Sequence, residues 1–271
     1  TLHDGVRKNI SQPTLLLSEI KPVVSLGKNQ NYALDVDHDA CSRRGVDIVR
    51  RQSGGQAVYI DEGYFVFSAV APTSLLTDDI TKLRESFCTV VLDSLRSLSV
   101  PAEFRRPDNI VVPSRYTLKT LGNSGQVVAL NQGVIAQGSI RHHLLDFEAL
   151  LDTLKVNGHK LHPYQHEIRR ILTDVVTYQP HITKKQLEQS FLDSFCRNIH
   201  ASYHQRDFTE QERKEISRHL EQANDPSWLE GESHYPSRGV CYFFVGGENL
   251  VPSLKSILPQ QQPSTLGDSL I

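Results

Sequence analysis

The chain has 271 residues, 38% of them hydrophobic, enough for one large core. Its 29 Lys plus Arg against 31 Asp plus Glu leave a formal net charge of -2, so no bulk field draws nucleic acid or an anionic membrane, and any anion site must be local. No apolar run reaches the length of a membrane span and no export signal opens the chain; the cysteines at 41, 88, 196 and 241 are too scattered for a zinc knuckle or redox pair and read as free thiols in a cytoplasmic setting, or in an organelle matrix if a transit segment was trimmed.

Pro13-Thr14-Leu15-Leu16-Leu17 and Val23-Val24-Ser25-Leu26-Gly27 read as two short strands split by a turn at Glu19-Ile20-Lys21-Pro22. Asp47-Ile48-Val49 is a third strand, and it delivers the chain into Arg50-Arg51-Gln52-Ser53-Gly54-Gly55-Gln56-Ala57-Val58-Tyr59-Ile60-Asp61-Glu62-Gly63. Tyr64 to Val70 is the strand that leaves it. A loop held between strands is where a rigid scaffold places binding residues. Without Cβ atoms, Gly54 and Gly55 are free to take positive φ and to bring backbone N–H groups close to a ligand. The planar forks of Arg50 and Arg51 match carboxylate or phosphate oxygens in pairs. The same residues also suit a tight turn beside a solvated face, and local sequence does not decide between the two. Neither a Walker loop nor a Gly-x-Gly-x-x-Gly fingerprint occurs.

From Thr77 the pattern turns helical, with Asp78 and Asp79 in the first turn and Ile80, Leu83, Phe87, Val91 and Leu95 on one face. Cys88 lies close to that face and reads as a small buried hydrophobe. After Pro101 come three strand segments with glycine-bearing turns: Asn109 to Val112, Gly122 to Leu130 and Gly133 to Ile140. Helices follow over Asp146 to Leu154, over Thr183 to about Tyr203 with Thr183 and Gln186 as a capping box, and from Thr209 with Glu212 as a second box. Strands first and helices after predict an α+β fold, with a mixed, largely antiparallel sheet covered by helices. Residues 1–250 are expected to form a single domain, with Cys241-Tyr242-Phe243-Phe244-Val245 as its last strand. Residues 251–271, rich in Gln, Pro and Ser, are expected to be a flexible tail.

His159, His162 and His166 are spaced for one helical face, but Pro163 interrupts that helix, so no metal site is assigned. Lys119 is the more interesting cation. It precedes Gly122-Asn123 and, if these strands share a sheet, lies across from the Arg51 loop. Two cations and free amides facing one cleft suit a carboxylate meeting a triphosphate.

These residues resemble the lipoate-protein ligase and octanoyltransferase family, which shares its catalytic domain with biotin-protein ligases. The resemblance runs from Pro13-Thr14-Leu15 through Val24-Ser25-Leu26-Gly27 and Gln30-Asn31, peaks at Arg50 to Tyr59, and resumes at Asp108-Asn109-Ile110-Val111-Val112, Lys119-x-x-Gly122-Asn123, Gly138-Ser139-Ile140 and Ser227-Trp228. It implies a biotin/lipoate-ligase-like catalytic domain that uses ATP and Mg2+ to activate lipoate, or octanoate, as an acyl-adenylate. The acyl group then passes to a lysine of a lipoyl domain on a 2-oxoacid dehydrogenase E2 subunit or the glycine cleavage H protein, with a separate accessory chain as a further partner. By resemblance Lys119 and Arg51 are the catalytic pair. Arg50, Ser53, Gly54, Gly55, Gln56, Ala57, Val58, Tyr59, Asp108, Asn109, Gly122, Asn123, Gly138 and Ser139 line the adenylate.

Ile60-Asp61 stands where the family has His-Asp, Asp108-Asn109 inverts its Asn-Asp, and counting from Asn109 offers Thr120 in place of Lys119. Two alternatives stay open: a transferase that carries its acyl group on a cysteine thioester, against which stands the lack of any cysteine between Cys88 and Cys196, and a non-catalytic relative that binds lipoyl domains.

Overall fold

The computed structural model describes residues 13–51, 53–72, 80–105, 109–114, 118–130, 133–144, 146–200 and 202–231. Asp108, the segment from Thr77 to Asp79, the strand expected at Cys241 to Val245 and the tail expected at 251–271 lie outside them. Two sheets form the frame. The larger comprises β1 (Thr14–Ser18), β5 (Tyr64–Pro72), β6 (Glu103–Arg105), β7 (Asn109–Pro113), β8 (Leu118–Leu130) and β9 (Gly133–Arg141), in the order β1-β5-β9-β8-β7-β6 and antiparallel throughout. The smaller comprises β2 (Val23–Leu26), β3 (Asp47–Arg50) and β4 (Val58–Ile60), with β3 parallel and β4 antiparallel to β2. Among the described residues the expected mixed, largely antiparallel strands are divided between two sheets, and the parallel strand pair β2–β3 lies in the smaller. Two residues each of β10 (Lys155–Val156) and β11 (His159–Lys160) make a separate antiparallel ribbon.

Helices close both layers. In chain order they are α1 (Tyr32–Asp35), α2 (His38–Arg44), α3 (Ile80–Ser97), α4 (Phe147–Thr153), α5 (Gln165–Ile171), α6 (Val175–Tyr178), α7 (Lys184–Ile199), α8 (Glu210–Ala223) and α9 (Pro226–Glu230). One face of the large sheet packs under α3 and α7. Phe65, Phe67, Ile110, Val112, Leu121 and Ile140 from the strands meet Val91, Leu95, Leu187 and Phe191 from the helices, all buried. Phe191 stacks at 4.5 Å from Phe67 and edge-on at 5.2 Å from Phe65, ring pairs worth about 0.5–1.5 kcal/mol each beyond their buried area. A second cluster joins the small sheet to α2, α4 and α5 through Val24, Leu26, Cys41, Tyr59, Leu150, Leu151 and Ile168.

Both capping boxes form. Thr183 and Gln186 exchange side-chain and backbone bonds at the start of α7, and Thr209 and Glu212 do the same ahead of α8. Each box gives orphan N–H groups of the first turn a partner, so four residues of sequence suffice to mark a helix start. Helices α1 and α2, which the sequence reading leaves unassigned, start from the side-chain caps Asn31 and Asp37.

Candidate functional site

The glycine loop spans the gap between β3 and β4, above the end of β2. Its floor is set by Gly27. A Cβ built there would stand 1.8 Å from the Gly55 carbonyl oxygen, so only glycine lets the loop settle this low. Lys28 N donates to Ser53 O at 2.9 Å, and Arg51 N donates to Leu26 O at 2.9 Å. Gly55 takes a positive φ of 90°, as the sequence allows. Gly54 does not, and a side chain there would meet nothing within 4 Å.

Both arginine forks point at backbone carbonyls. Buried Arg50 donates through Nη1 to Gly27 O (3.1 Å), Lys28 O (3.1 Å) and Gln30 O (2.8 Å), through Nε to Leu229 O (2.9 Å) and through Nη2 to Glu230 O (2.9 Å). Arg51 donates to Ser25 O (2.7 Å), to Gly54 O through Nε and Nη2 (3.1 and 2.8 Å) and to Gln56 O (2.7 Å). The sequence reading gives these donors to an anion; in the structure they shape the loop. A buried amide chain braces the same corner: Gly27 N donates to Gln30 Oε1, and Gln30 Nε2 donates to Asp35 Oδ2 and Gln56 Oε1.

Of the remaining loop residues, Ala57 and Tyr59 belong to the core beneath the small sheet. Burial, with Asp61 close by, pushes the Tyr59 phenol above its ordinary pKa, and burial likewise raises the Asp61 carboxyl. Val58 is half-buried. Ser53 is buried and reaches across to the large sheet, where its Oγ meets Gln137 Oε1 at 3.4 Å. That contact fixes which face of the large sheet the loop covers.

Register then sorts the other candidates. Gln137 and Ser139 lie on the loop face of β9, and Gly138 and Ile140 lie on the helix face. Asn109 precedes Ile110, which is in the core on the helix face, so it shares the loop face with Ser139. Gly122 pairs with Ile140; a Cβ on it would stand 2.2 Å from Ser139 O, so this strand contact also demands glycine. Thr120 is opposite Val111 and Gly122 is opposite Ile110, which leaves Leu121 as an extra residue, a β-bulge that resets the alternation of β8. Lys119 is paired with Val112, whose side chain is in the core under α3. By register, Thr120 therefore lies on the loop face and Lys119 on the opposite face.

Asn109 is fully buried, and among the described residues neither its Nδ2 nor its Oδ1 has a partner. Buried side-chain amides are almost always paired, so this one marks a place for a group that both donates and accepts.

Two features lie outside the sequence-level site. Arg141, buried at the end of β9, donates to Tyr64 OH (2.9 Å), Thr120 O (2.9 Å) and Thr173 O (2.7 Å), tying β8 to the segment before α6. Its signal is an arginine within an otherwise uncharged strand. Trp228 donates from Nε1 to Arg50 O at 3.0 Å, which binds α9 to the glycine loop. The histidines considered for a metal fall on three elements: His159 in β11, His162 in a 3-10 turn and His166 in α5. His162 stands 3.2 Å from Asp152 and 3.8 Å from Glu148.

Among solved structures, the fold is similar to the bi-partite lipoate protein ligase of an archaeal lipoylation system from Thermoplasma acidophilum, with a TM-score of 0.74 at 21% identity over 88% of this chain and 92% of that one. It is also similar to a lipoate-protein ligase A bound with ATP, with a TM-score of 0.69 at 21% identity over 85% of this chain and 92% of that one. In sequence, the chain is 28% identical over 192 residues to the lipoate-protein ligase LplJ of Bacillus subtilis (strain 168), covering 69% of this chain and 54% of LplJ. It is 23% identical over 243 residues to the octanoyltransferase LipM of Staphylococcus epidermidis, covering 78% of this chain and 87% of LipM. The chain thus spans about half the length of the ligase LplJ. The family model of the lipoyl protein ligase A/B catalytic domain matches residues 1–196, and the chain belongs to that family.

Proposed function

We propose that this protein is an ATP-dependent lipoate-protein ligase. In the first step the lipoate or octanoate carboxylate attacks the α-phosphorus of ATP and pyrophosphate leaves. In the second, the amine of an acceptor lysine attacks the acyl carbon and AMP leaves. The observation that carries the reading is the unpaired Asn109 amide on the sheet face that the Ser53 loop covers. A ribose hydroxyl both donates and accepts, and so completes such an amide; an adenylate brings one. Ser53 meets Gln137 on that face, Ser139 and Thr120 share it by register, and Arg51 holds the carbonyls of Ser25 and Gln56 behind the loop.

The three cysteines among the described residues favour the ligase over thioester transfer. Cys41 is in the core and its thiol is pushed up to about 11, chiefly by burial and then by Asp37. Cys88, within α3, is buried, and burial also raises the Cys196 thiol. A thioester carrier needs the opposite environment, one that favours thiolate. Mg2+ reaches such a site with the triphosphate, held mainly by phosphate oxygens and one or two carboxylates. Among the described residues no group of three or more His, Cys, Asp or Glu is placed for a metal, so no step here is assigned to the ion.

A second reading has its own support, because the chain covers 87% of the octanoyltransferase LipM. The two part on one measurement. The ligase releases pyrophosphate from ATP only when lipoate or octanoate is present, and then labels an acceptor lipoyl domain. Acyl transfer to that domain from an acyl carrier without ATP overturns the ligase. No release with either acid, with or without the acceptor, points to the non-catalytic relative. The T. acidophilum system pairs a bi-partite ligase with its E2 lipoyl domain, so the test includes an E2 lipoyl domain as acceptor and, separately, an accessory chain.

A further inference from the structure

The Arg50 contacts join two parts of the chain that lie far apart in sequence. Three of its acceptors, Gly27 O, Lys28 O and Gln30 O, belong to the segment on which the glycine loop rests. The other two, Leu229 O and Glu230 O, are the last carbonyls of α9. Those carbonyls are the orphan acceptors of a helix end, and a guanidinium is well suited to take them. The contact is closed from the other side by Trp228, whose indole N–H donates to the Arg50 carbonyl at 3.0 Å. Gly231, with φ 65°, ends the helix directly against the fork; a Cβ there would stand 3.1 Å from Arg50 Cζ and 3.2 Å from Nη2.

Asp225 fixes the orientation of α9. Its carboxylate caps the helix through Ser227 N at 2.8 Å and Ser227 Oγ at 2.7 Å, and those bonds hold its pKa below the ordinary value. The helix thus presents its tryptophan and its terminal carbonyls to one arginine.

We propose that Trp228 is a positioning residue for the glycine loop: α9 acts as a strap that holds Gly27 to Gln30, and through them Ser53 to Gln56, in the geometry that receives substrate. The loop rests on that segment through Lys28 N–Ser53 O, Arg51 N–Leu26 O and the Gly27–Gly55 contact. Docking of α9 and the binding of a carboxylate or nucleotide at the loop are therefore coupled. Any gain in loop order from the strap appears as affinity, and ligand binding tightens the strap by the same factor. The ligand half of this statement rests on the acyl-adenylate reading; the loop-order half does not.

The chain has a single tryptophan, so fluorescence excited at the indole reports the strap without a label. The experiment compares the full chain with Trp228→Phe, which keeps an aromatic ring but removes the N–H donor and part of the ring area, and with Gly231→Ala, which presses on the fork from the other side. Hydrogen exchange is followed in the ligand-free proteins. The Lys28 and Arg51 amides are expected to exchange about two- to tenfold faster in both variants, the range that loss of one net hydrogen bond allows. Amides of β5 and β9 are expected to keep their wild-type rates. Exchange at Lys28 and Arg51 equal to wild type in both variants overturns the proposal. So does acceleration shared by β5 and β9, since that is general destabilisation.

A second arm titrates lipoate and ATP into wild type while following Trp228 emission. A shift on binding, with weaker binding in Gly231→Ala by a similar factor, supports the coupling. Binding seen by calorimetry without any change in emission overturns the coupling. Absence of binding by either method refutes the acyl-adenylate reading, while the exchange arm still decides the strap.

Discussion

Gly27→Ala tests the geometry of the site most directly, because the clash is with backbone and cannot be relieved by a rotamer. A Cβ at 27 falls 1.8 Å from Gly55 O and 2.8 Å from Gly55 C, against a floor of 3.0 Å for real contacts. From 1.8 to 3.0 Å is 1.2 Å, the least distance by which the loop must rise. That displacement breaks Lys28 N–Ser53 O and strains the Arg51 bonds to Gly54 O and Gln56 O. Two or three hydrogen bonds at about 1 kcal/mol each give a loss of roughly 2–3 kcal/mol. Misplacement of binding groups by about 1 Å costs on the order of 100-fold in rate, so pyrophosphate release falls by at least that factor.

Gly54→Ala is the control. It lies one residue from the contact, meets nothing within 4 Å and has no positive φ. The lost unfolded-state entropy stabilises such a variant by about 0.4–1 kcal/mol. Urea unfolding of the full chain and the pyrophosphate assay measure both variants side by side. A Gly27→Ala protein with wild-type midpoint and rate refutes the loop geometry, as does a Gly54→Ala protein damaged to the same degree.

Phe191→Ala removes a fully buried ring wedged between Phe65 and Phe67; it lowers stability by about 3–5 kcal/mol, and a urea-derived loss below about 1 kcal/mol refutes the packing described. Glu212 is held down at about 2, first by its bond to Arg206 and further by Thr209. With the folded pKa below the ordinary 4.5, its contribution is complete above 4.5 and disappears as pH falls through 2. Arg206 is exposed, so the advantage of wild type over Glu212→Gln is only about 0.5–1 kcal/mol at pH 7. It should shrink as pH falls from 4.5 and close only below pH 2, and a gap that widens on acidification sinks the assignment. Cys41, with its thiol pushed up to about 11, resists iodoacetamide at pH 8 in the native chain and reacts on unfolding; rapid native labelling at Cys41, read by peptide mass, contradicts its burial.

What could be read from the sequence was local or strongly periodic. The capping boxes at Thr183 and Thr209 rest on residues three apart, and the strands beginning at Tyr64 and Gly133 on strand-like runs bounded by glycine-bearing turns, so neither needed the rest of the fold. The division into two sheets was not readable, because β2 pairs in parallel with β3 only after a helix returns the chain, and nothing in either segment shows which sheet it will join. Lys119 and Thr120 remained interchangeable for a related reason. The bulge at Leu121 arises from pairing with β7, and one extra residue swaps which of the two lies on the loop face. Asn109 was named from resemblance, but its full burial without a partner is a tertiary fact. Ser53 was placed in the loop correctly, while its reach to Gln137 depends on how the two sheets approach.

The arginine pair shows why a motif read as one unit can hold two separate functions. Adjacent residues at a strand end project in opposite directions, so Arg50 and Arg51 cannot share a target. Arg51 turns into its own loop and serves carbonyls from Ser25 to Gln56. Arg50 turns away and serves five carbonyls on two segments, two of them beyond residue 228. Carbonyl acceptors take the donors of both forks, so each guanidinium fixes the shape of a different part of the loop and its supports. This division also sets what each position tolerates. Lysine at 50 keeps the charge and still fails, because three donors on a flexible stem cannot serve five acceptors held by a planar fork.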